Sequence, residues 1–157
     1  MNYVIREIKD TEYGILNDFL YEAIFIPEGI VPPDRNIVNN PELQVYTENF
    51  GQRLGDNCLV AEVNKNIVGA VWVRIMNDYG HIDNETPSFA ISLYKEYRGF
   101  GIGTEMMKRM LSLLKESGYK KASLSVQKEN YASKLYLKLG FEIVNENMEE
   151  YIMLISL

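Results

Sequence analysis

Glycine occupies every second position in Gly99-Phe100-Gly101-Ile102-Gly103, which follows Tyr97-Arg98 and precedes Thr104. Glycines so spaced let the main chain approach a ligand with no Cβ in the way, and let successive amides point in one direction. An amphipathic run begins at Ile102, so the glycines open a helix whose unpaired amides and positive dipole end favour an anion. Such a turn can form a nest, and Arg98 at its mouth could add a formal charge. The chemistry predicted is capture of a phosphate or a similar anion by backbone N–H groups. The pattern is neither a dinucleotide fingerprint, because counting from Gly99 the third glycine position holds Thr104, nor a P-loop, because the Gly-Lys-Ser/Thr ending is missing.

The elements that must hold this turn follow from periodicity. Residues 3–8 alternate as an opening strand, and Asp10 or Thr11 caps a helix bearing Ile15, Leu16, Phe19, Leu20 and Ala23 that stops before Pro27. Residues 26–34 mix helix breakers with large apolar side chains. A loop of that kind packs as a lid, as a subunit contact or as an insertion folded on the core. A second helix is predicted from Asn40 or Pro41 to Phe50, with Gly51 as its stop. Cys58–Val63 and Ile67–Met76 read as a hairpin about Asn64-Lys65-Asn66. Its second strand, apolar on both faces, is predicted to be central and covered on both sides. Ser88–Leu93 is a strand feeding the glycine turn. The helix after it carries Ile102, Met106, Met110 and Leu113/Leu114 on one stripe and ends at Gly118. Ala122, Leu124 and Val126 alternate through a further strand, completing a βαβ unit with parallel strands. Asn130 then caps a short helix with Ala132, Leu135, Tyr136 and Leu139 on one face and Gly140 at its end. Residues 141–144 and 151–155 form a last pair of strands.

The chain has 157 residues, enough for a single domain over 1–157 with a core of its own. A formal charge of −6 argues against a nucleic-acid partner and is compatible with a cationic substrate. One cysteine, Cys58, and one histidine, His81, leave no basis for a disulfide or for a thiolate or imidazole metal site, so no metal is expected. With neither a leader-like segment nor an apolar run of membrane-spanning length, no membrane partner is expected and the expected location is cytoplasmic.

Two segments carry a resemblance to a known family. Arg98, Gly101 and Gly103 match the Arg/Gln-x-x-Gly-x-Gly/Ala turn of the GNAT superfamily of N-acetyltransferases. Asn130, Ala132, Leu135, Tyr136, Gly140 and Phe141 match its second signature, in the right order and at the right separation. The resemblance covers nearly the whole chain and is loosest over residues 24–57. It implies an α/β (α+β) GNAT fold. That fold has a mixed, mostly antiparallel central sheet of six to seven strands, helices on both faces, and a V-shaped splay, often with a bulge, between the strands at 88–94 and 122–126.

The resemblance also implies roles. Acetyl-CoA serves as co-substrate, its pyrophosphate on the amides of Gly99, Phe100, Gly101, Ile102, Gly103 and Thr104, with Arg98 at the mouth of the turn among the cofactor-binding residues. Its pantetheine arm runs along Ile91, Ser92 and Leu93, with a contact to Asn130. The N–H near Leu93 polarises the thioester carbonyl, and Tyr136 donates a proton to the departing sulfur. The reaction implied is acetyl transfer to a primary amine of a small molecule or peptide, by direct attack in a ternary complex. A non-catalytic acyl-CoA-binding sensor or interaction module is the alternative, and a homodimer using the loop from Ile24 to Pro33 is compatible with the family. An amine of pKa about 10.4 is neutral in only about one molecule in a few thousand at pH 7, so a proton acceptor is required. Glu28, Glu62, Asp83, Glu85 and His81 are the candidates, and the sequence does not choose among them.

Overall fold

The structure, a computed structural model, describes all residues 1–157. Seven strands form one sheet in the order β1-β2-β3-β4-β5-β7-β6. They are β1 (Val4–Glu7), β2 (Asn57–Val63), β3 (Asn66–Arg74), β4 (Ser88–Leu93), β5 (Lys121–Gln127), β6 (Glu142–Glu146) and β7 (Glu150–Ser156). Every neighbouring pair is antiparallel except β4 with β5. The helices are α1 (Leu16–Glu22), α2 (Pro41–Gln44), α3 (Ile102–Glu116) and α4 (Ala132–Leu139). No helix is long and apolar enough to cross a membrane.

The alternation of apolar side chains sorts the core into two layers. Val71, Val73, Phe89, Ala122, Leu124 and Val126 pack with Ile102, Met106, Met110 and Leu114 of α3 and with Tyr136 of α4. On the other face Val60, Ala70 and Trp72 pack with Leu16, Phe19 and Leu20 of α1 and with Phe50. β3 lies between these layers, which is why it is apolar on both faces. The β2–β3 turn is set by Asn64 and Lys65, both left-handed at φ 50° and 67°, the twist a two-residue hairpin requires.

One expected element is much shorter. The helix predicted from residue 40 or 41 to Phe50 is regular only over Pro41–Gln44. The cause is tertiary. Arg74 Nη1 donates to the carbonyls of Val45 (3.1 Å) and Glu48 (2.9 Å), and Trp72 Nε1 donates to that of Tyr46 (3.0 Å). β3 side chains thus take carbonyls that a continuing helix would have used. Arg74 is fully buried and is fixed by Asp56, Nε to Oδ1 at 3.0 Å and Nη2 to Oδ2 at 2.9 Å. The loop after α1 also differs from a packed insertion at its tip, where Ile30 and Val31 are 59% and 85% exposed.

Candidate active site

The single parallel pair is where the sheet opens. β4 and β5 are in register only at Ser88 and Ser123, where the Ser123 amide donates to Pro87 O at 3.0 Å. Beyond that point the two strands diverge. β4 keeps continuous register with β3, so the gap opens without a bulge in β4; the extra residues lie at Val68 of β3, where it pairs with β2, and at Val144 of β6. The loop after β3 occupies the apex. Gly80 O accepts from Ser123 Oγ at 2.7 Å, and a Cβ on Gly80 would lie 3.3 Å from Leu124 C and Ser125 N.

Backbone groups of a strand alternate between its two edges. The Tyr94 amide donates to Val68 O of β3 at 3.0 Å, so the amides of Leu93 and Ile91 point the other way, into the gap. Those of Ser92 face β3, opposite Ala70, and the Ser92 hydroxyl donates to Phe19 O at 2.6 Å. Of residues 91–93, only Ile91 and Leu93 therefore offer main-chain groups to the gap. The Leu93 carbonyl already accepts from Arg98 Nε at 2.9 Å.

At the end of β4 the glycine turn is drawn up as an open cradle. Gly99 and Gly101 are left-handed, at φ 84° and 83°, a conformation that costs any residue with a Cβ about 1–2 kcal/mol. None of the N–H groups from Gly99 to Thr104 donates to another group of the chain. The first amide of the helix that does so is Glu105, to Gly101 O at 3.1 Å. Six consecutive donors at a helix N-terminus are thus unfilled. Arg98 is turned away from them, since its guanidinium also lies 3.8 Å from Glu22.

Tyr136 packs on the α3 and α4 side of the sheet, its ring 6.1 Å from that of Phe141, which in turn lies 6.1 Å from Phe89 of β4. The residue is 8% exposed, and its hydroxyl has no hydrogen-bond partner within the chain. No fully enclosed side-chain polar atom lacks a partner, so this hydroxyl reaches open space. Burial pushes the phenol up to about 12, which keeps it protonated near neutrality. Asn130 Oδ1 accepts from the Ala132 amide at 2.9 Å, making it the cap of α4.

The expected proton acceptors are not gathered here. Glu62 is paired with Arg6 at 2.8 Å on β2. Asp83 accepts from Thr86 Oγ1 and the Glu85 amide, both at 2.8 Å, contacts that lower its pKa. His81 Nδ1 lies 2.8 Å from Met76 O, while Glu28 and Glu85 are exposed. The carboxylate at the apex is Asp78, which sequence reasoning passed over. It accepts from Tyr46 Oη at 3.0 Å and Ser88 Oγ at 3.2 Å. Its two partners come from two separate segments, and no local spacing announces them.

Comparison with known proteins agrees with this geometry. Residues 25–141 match the Acetyltransferase (GNAT) family. The chain is 33% identical over 76 residues to the uncharacterized N-acetyltransferase YobR of Bacillus subtilis, a match covering 48% of this chain and 28% of that protein. The fold is shared with PaiA N-acetyltransferase from Thermoplasma acidophilum, solved with coenzyme A (TM-score 0.74, 18% identity, all of both chains). It is shared also with YncA from Salmonella typhimurium, solved with acetyl-CoA (TM-score 0.69, 18% identity, 99% of this chain and 94% of that one). Since the match spans three quarters of its length and takes in both the cradle and Tyr136, the chain belongs to the Acetyltransferase (GNAT) family.

Proposed function

We propose that this protein transfers an acetyl group from acetyl-CoA to a primary amine of a small molecule or peptide, by direct attack while both are bound. The observation that carries this reading is the row of six unfilled amides from Gly99 to Thr104. They lie one strand end away from a gap that Ile91 and Leu93 line with main-chain groups. A diphosphate suits the former, because charge-assisted hydrogen bonds from amides at a helix N-terminus are the strong kind. A chain of amides suits the latter, pairing with β4 as a strand would. Bound acetyl-CoA would supply the activated acyl group.

The chain's own groups do the rest. The Leu93 N–H, held in the gap, stabilises negative charge on the acyl oxygen. Tyr136, protonated and free of internal partners, delivers its proton to sulfur as the thiolate leaves. The test is release of coenzyme A thiol on mixing with acetyl-CoA and a panel of polyamines, amino acids, aminoglycosides and peptide N-termini. Cys58 is 5% exposed, and burial raises its thiol pKa, so a thiol reagent reads only the product. Thiol release with one amine class is the expected result. Tight acetyl-CoA binding without release across the panel refutes the reading.

A further inference from the structure

The ladder between the two halves of the sheet is a single pairing. β1 to β4 form one half and β5, β7 and β6 the other, and between β4 and β5 only Ser88 and Ser123 are in register. Every other neighbouring pair is joined over at least four residues. The angle at which the halves part is therefore set at this apex. Leu93 lies five residues along β4 from Ser88, roughly 17 Å at the rise of a strand, so a tilt of about 3–4° moves it about 1 Å relative to β5. A displacement of that size is enough to cost a reaction on the order of 100-fold.

A run of polar contacts holds the apex on the α1 face of the sheet. Ser88 and Ser123 are fully buried. Ser123 Oγ donates to Gly80 O at 2.7 Å, the two serine oxygens lie 3.2 Å apart, Ser88 Oγ lies 3.2 Å from Asp78 Oδ1, and Tyr46 Oη donates to Asp78 Oδ2 at 3.0 Å. These four contacts have three hydroxyl protons among them. A carbonyl only accepts, so the Ser123 proton is committed to Gly80 O. With Asp78 ionised, Tyr46 and Ser88 both donate to it, and the serine oxygens then face each other with no proton between them. A proton on Oδ1 supplies the missing one: Oδ1 donates to Ser88, Ser88 to Ser123, Ser123 to Gly80 O, and Tyr46 to Oδ2. Each contact then holds one proton, and the chain runs in one direction from the loop through both strands and back to the loop.

The surroundings favour the neutral form. Asp78 enters none of the molecule's ion pairs, and a carboxylate withdrawn from water without a cation is unfavourable. Burial raises its pKa against the opposing pull of the Tyr46 and Ser88 hydroxyls and of the Asp78 and Gly80 amides. The titratable groups facing it from neighbouring elements are Tyr46, in the segment after α2, and Glu150 of β7, whose negative charge acts in the same sense as burial. β4 and β5 present only the hydroxyls of Ser88, Ser123 and Ser125. His81, in the same loop as Asp78, is engaged through Nδ1 with Met76 O.

We propose that Asp78 is a positioning residue, present in the folded protein as a neutral carboxylic acid whose proton closes this hydrogen-bond chain and so fixes the opening between β4 and β5. The proposal rests on that opening being where acetyl-CoA lies, and it gives Asp78 no part in the proton transfers of the reaction. Because the folded-state pKa is raised, the closed chain is complete below the ordinary aspartate value of 3.8 and is lost as pH rises through the folded value. Ionisation breaks it between the two serines. The apex then loosens, and acetyl-CoA affinity falls with it.

Two measurements on the full chain test this. The first is carboxyl-carbon NMR of protein labelled at aspartate, in wild type and Asp78→Asn. One resonance, missing from the variant, is expected to keep its protonated shift at least one pH unit above 3.8; a wild type in which every aspartate has ionised by then overturns the proposal. The second is acetyl-CoA binding by calorimetry as a function of pH. An asparagine amide donates to Ser88 and accepts from Tyr46, as the neutral acid does. Asp78→Asn is therefore expected to bind within about twofold of wild type at the acid end and to become the tighter of the two as pH rises, while the cofactor's own phosphates titrate alike in both. Asp78→Ala is expected to bind at least tenfold more weakly throughout. Should it fold poorly, Ser123→Ala breaks the chain one link further on with the same expected loss. An asparagine variant as weak as the alanine one, or a wild-type to Asp78→Asn ratio flat in pH, overturns the role of the proton. Both results as expected, with no thiol released from any amine, would refute the transferase reading and leave the apex standing; thiol release alongside an ordinary Asp78 titration would do the reverse.

Discussion

Replacing Gly101 by alanine separates backbone geometry at the cradle from general stability, because the molecule contains its own control. Gly101 (φ 83°) and Gly118 (φ 93°) are both left-handed, and at both a Cβ would meet nothing within 4 Å. They sit at opposite ends of α3, a helix of 15 residues and so roughly 20 Å long. Alanine at either position incurs about 1–2 kcal/mol of conformational strain, partly offset by about 0.4–1 kcal/mol from a less flexible unfolded chain. The net loss is on the order of 1 kcal/mol, or about 2–4 °C in Tm for a chain of this size. The two variants should therefore melt alike. They should differ in cofactor binding, because relief of strain at residue 101 tilts amides out of the cradle. Loss of two charge-assisted hydrogen bonds at about 1.5–3 kcal/mol each weakens acetyl-CoA at least about 100-fold. Thermal melts and titration calorimetry on Gly101→Ala and Gly118→Ala read both quantities. Equal acetyl-CoA affinity in the two variants would refute the assignment of the cradle to the diphosphate.

Tyr136→Phe should lower kcat about 100-fold with the acetyl-CoA Kd unchanged. Its Tm should hold, because the hydroxyl makes no hydrogen bond in the chain; undiminished turnover removes the phenol from the acid role. Asp56→Ala leaves the Arg74 guanidinium buried with half its partners gone, and should cost about 3–5 kcal/mol in urea unfolding. A loss under 1 kcal/mol, on the scale of exposed ion pairs, would show that the pair is not what ties residues 45–56 to β3. Glu12 is held at about 2, first by the Arg6 guanidinium and then by the Lys9 amide. Its contribution is therefore present above its ordinary value near 4.5 and is lost as pH falls toward 2. Glu12→Gln should be less stable than wild type at pH 7, with the difference closing across that window. A difference that persists at pH 2 contradicts the linkage.

What the sequence disclosed were features written over short spans. The turn from Arg98 to Thr104, the strand before it and the stripe after it occupy adjacent residues, and β4 and α3 begin where periodicity puts them. The Asn64-Lys65 turn is of the same kind. What escaped notice were consequences of distant side chains. Residues 45–50 have a helical pattern, and only the reach of Arg74 and Trp72 across the sheet explains why the helix stops. Asp78 is one carboxylate among several in a polar loop, and neither Tyr46 nor Ser88 adjoins it in sequence. The same limit applies to Ser92, whose amide the strand alternation sends to β3 and whose hydroxyl reaches Phe19 of α1.

The gap between β4 and β5 links the fold to the chemistry. Strand edges normally find a partner or are blunted by charge, proline or a covering element; here only the Leu93 carbonyl is so treated, by Arg98, while the amides of Ile91 and Leu93 have no strand opposite, inside a seven-stranded sheet. Leaving those groups without a strand opposite sacrifices ladder hydrogen bonds, a loss that a ligand with its own amides would recover under the proposed function. A ligand lying there is open to both faces of the sheet at once. On one face is an unpartnered phenol held protonated; on the other is Asp78, whose carboxyl burial holds above its usual range. Kept on opposite faces of the sheet, the phenol and the Asp78 carboxyl make no contact with each other, so under the proposed function the acid that would serve the sulfur stays protonated.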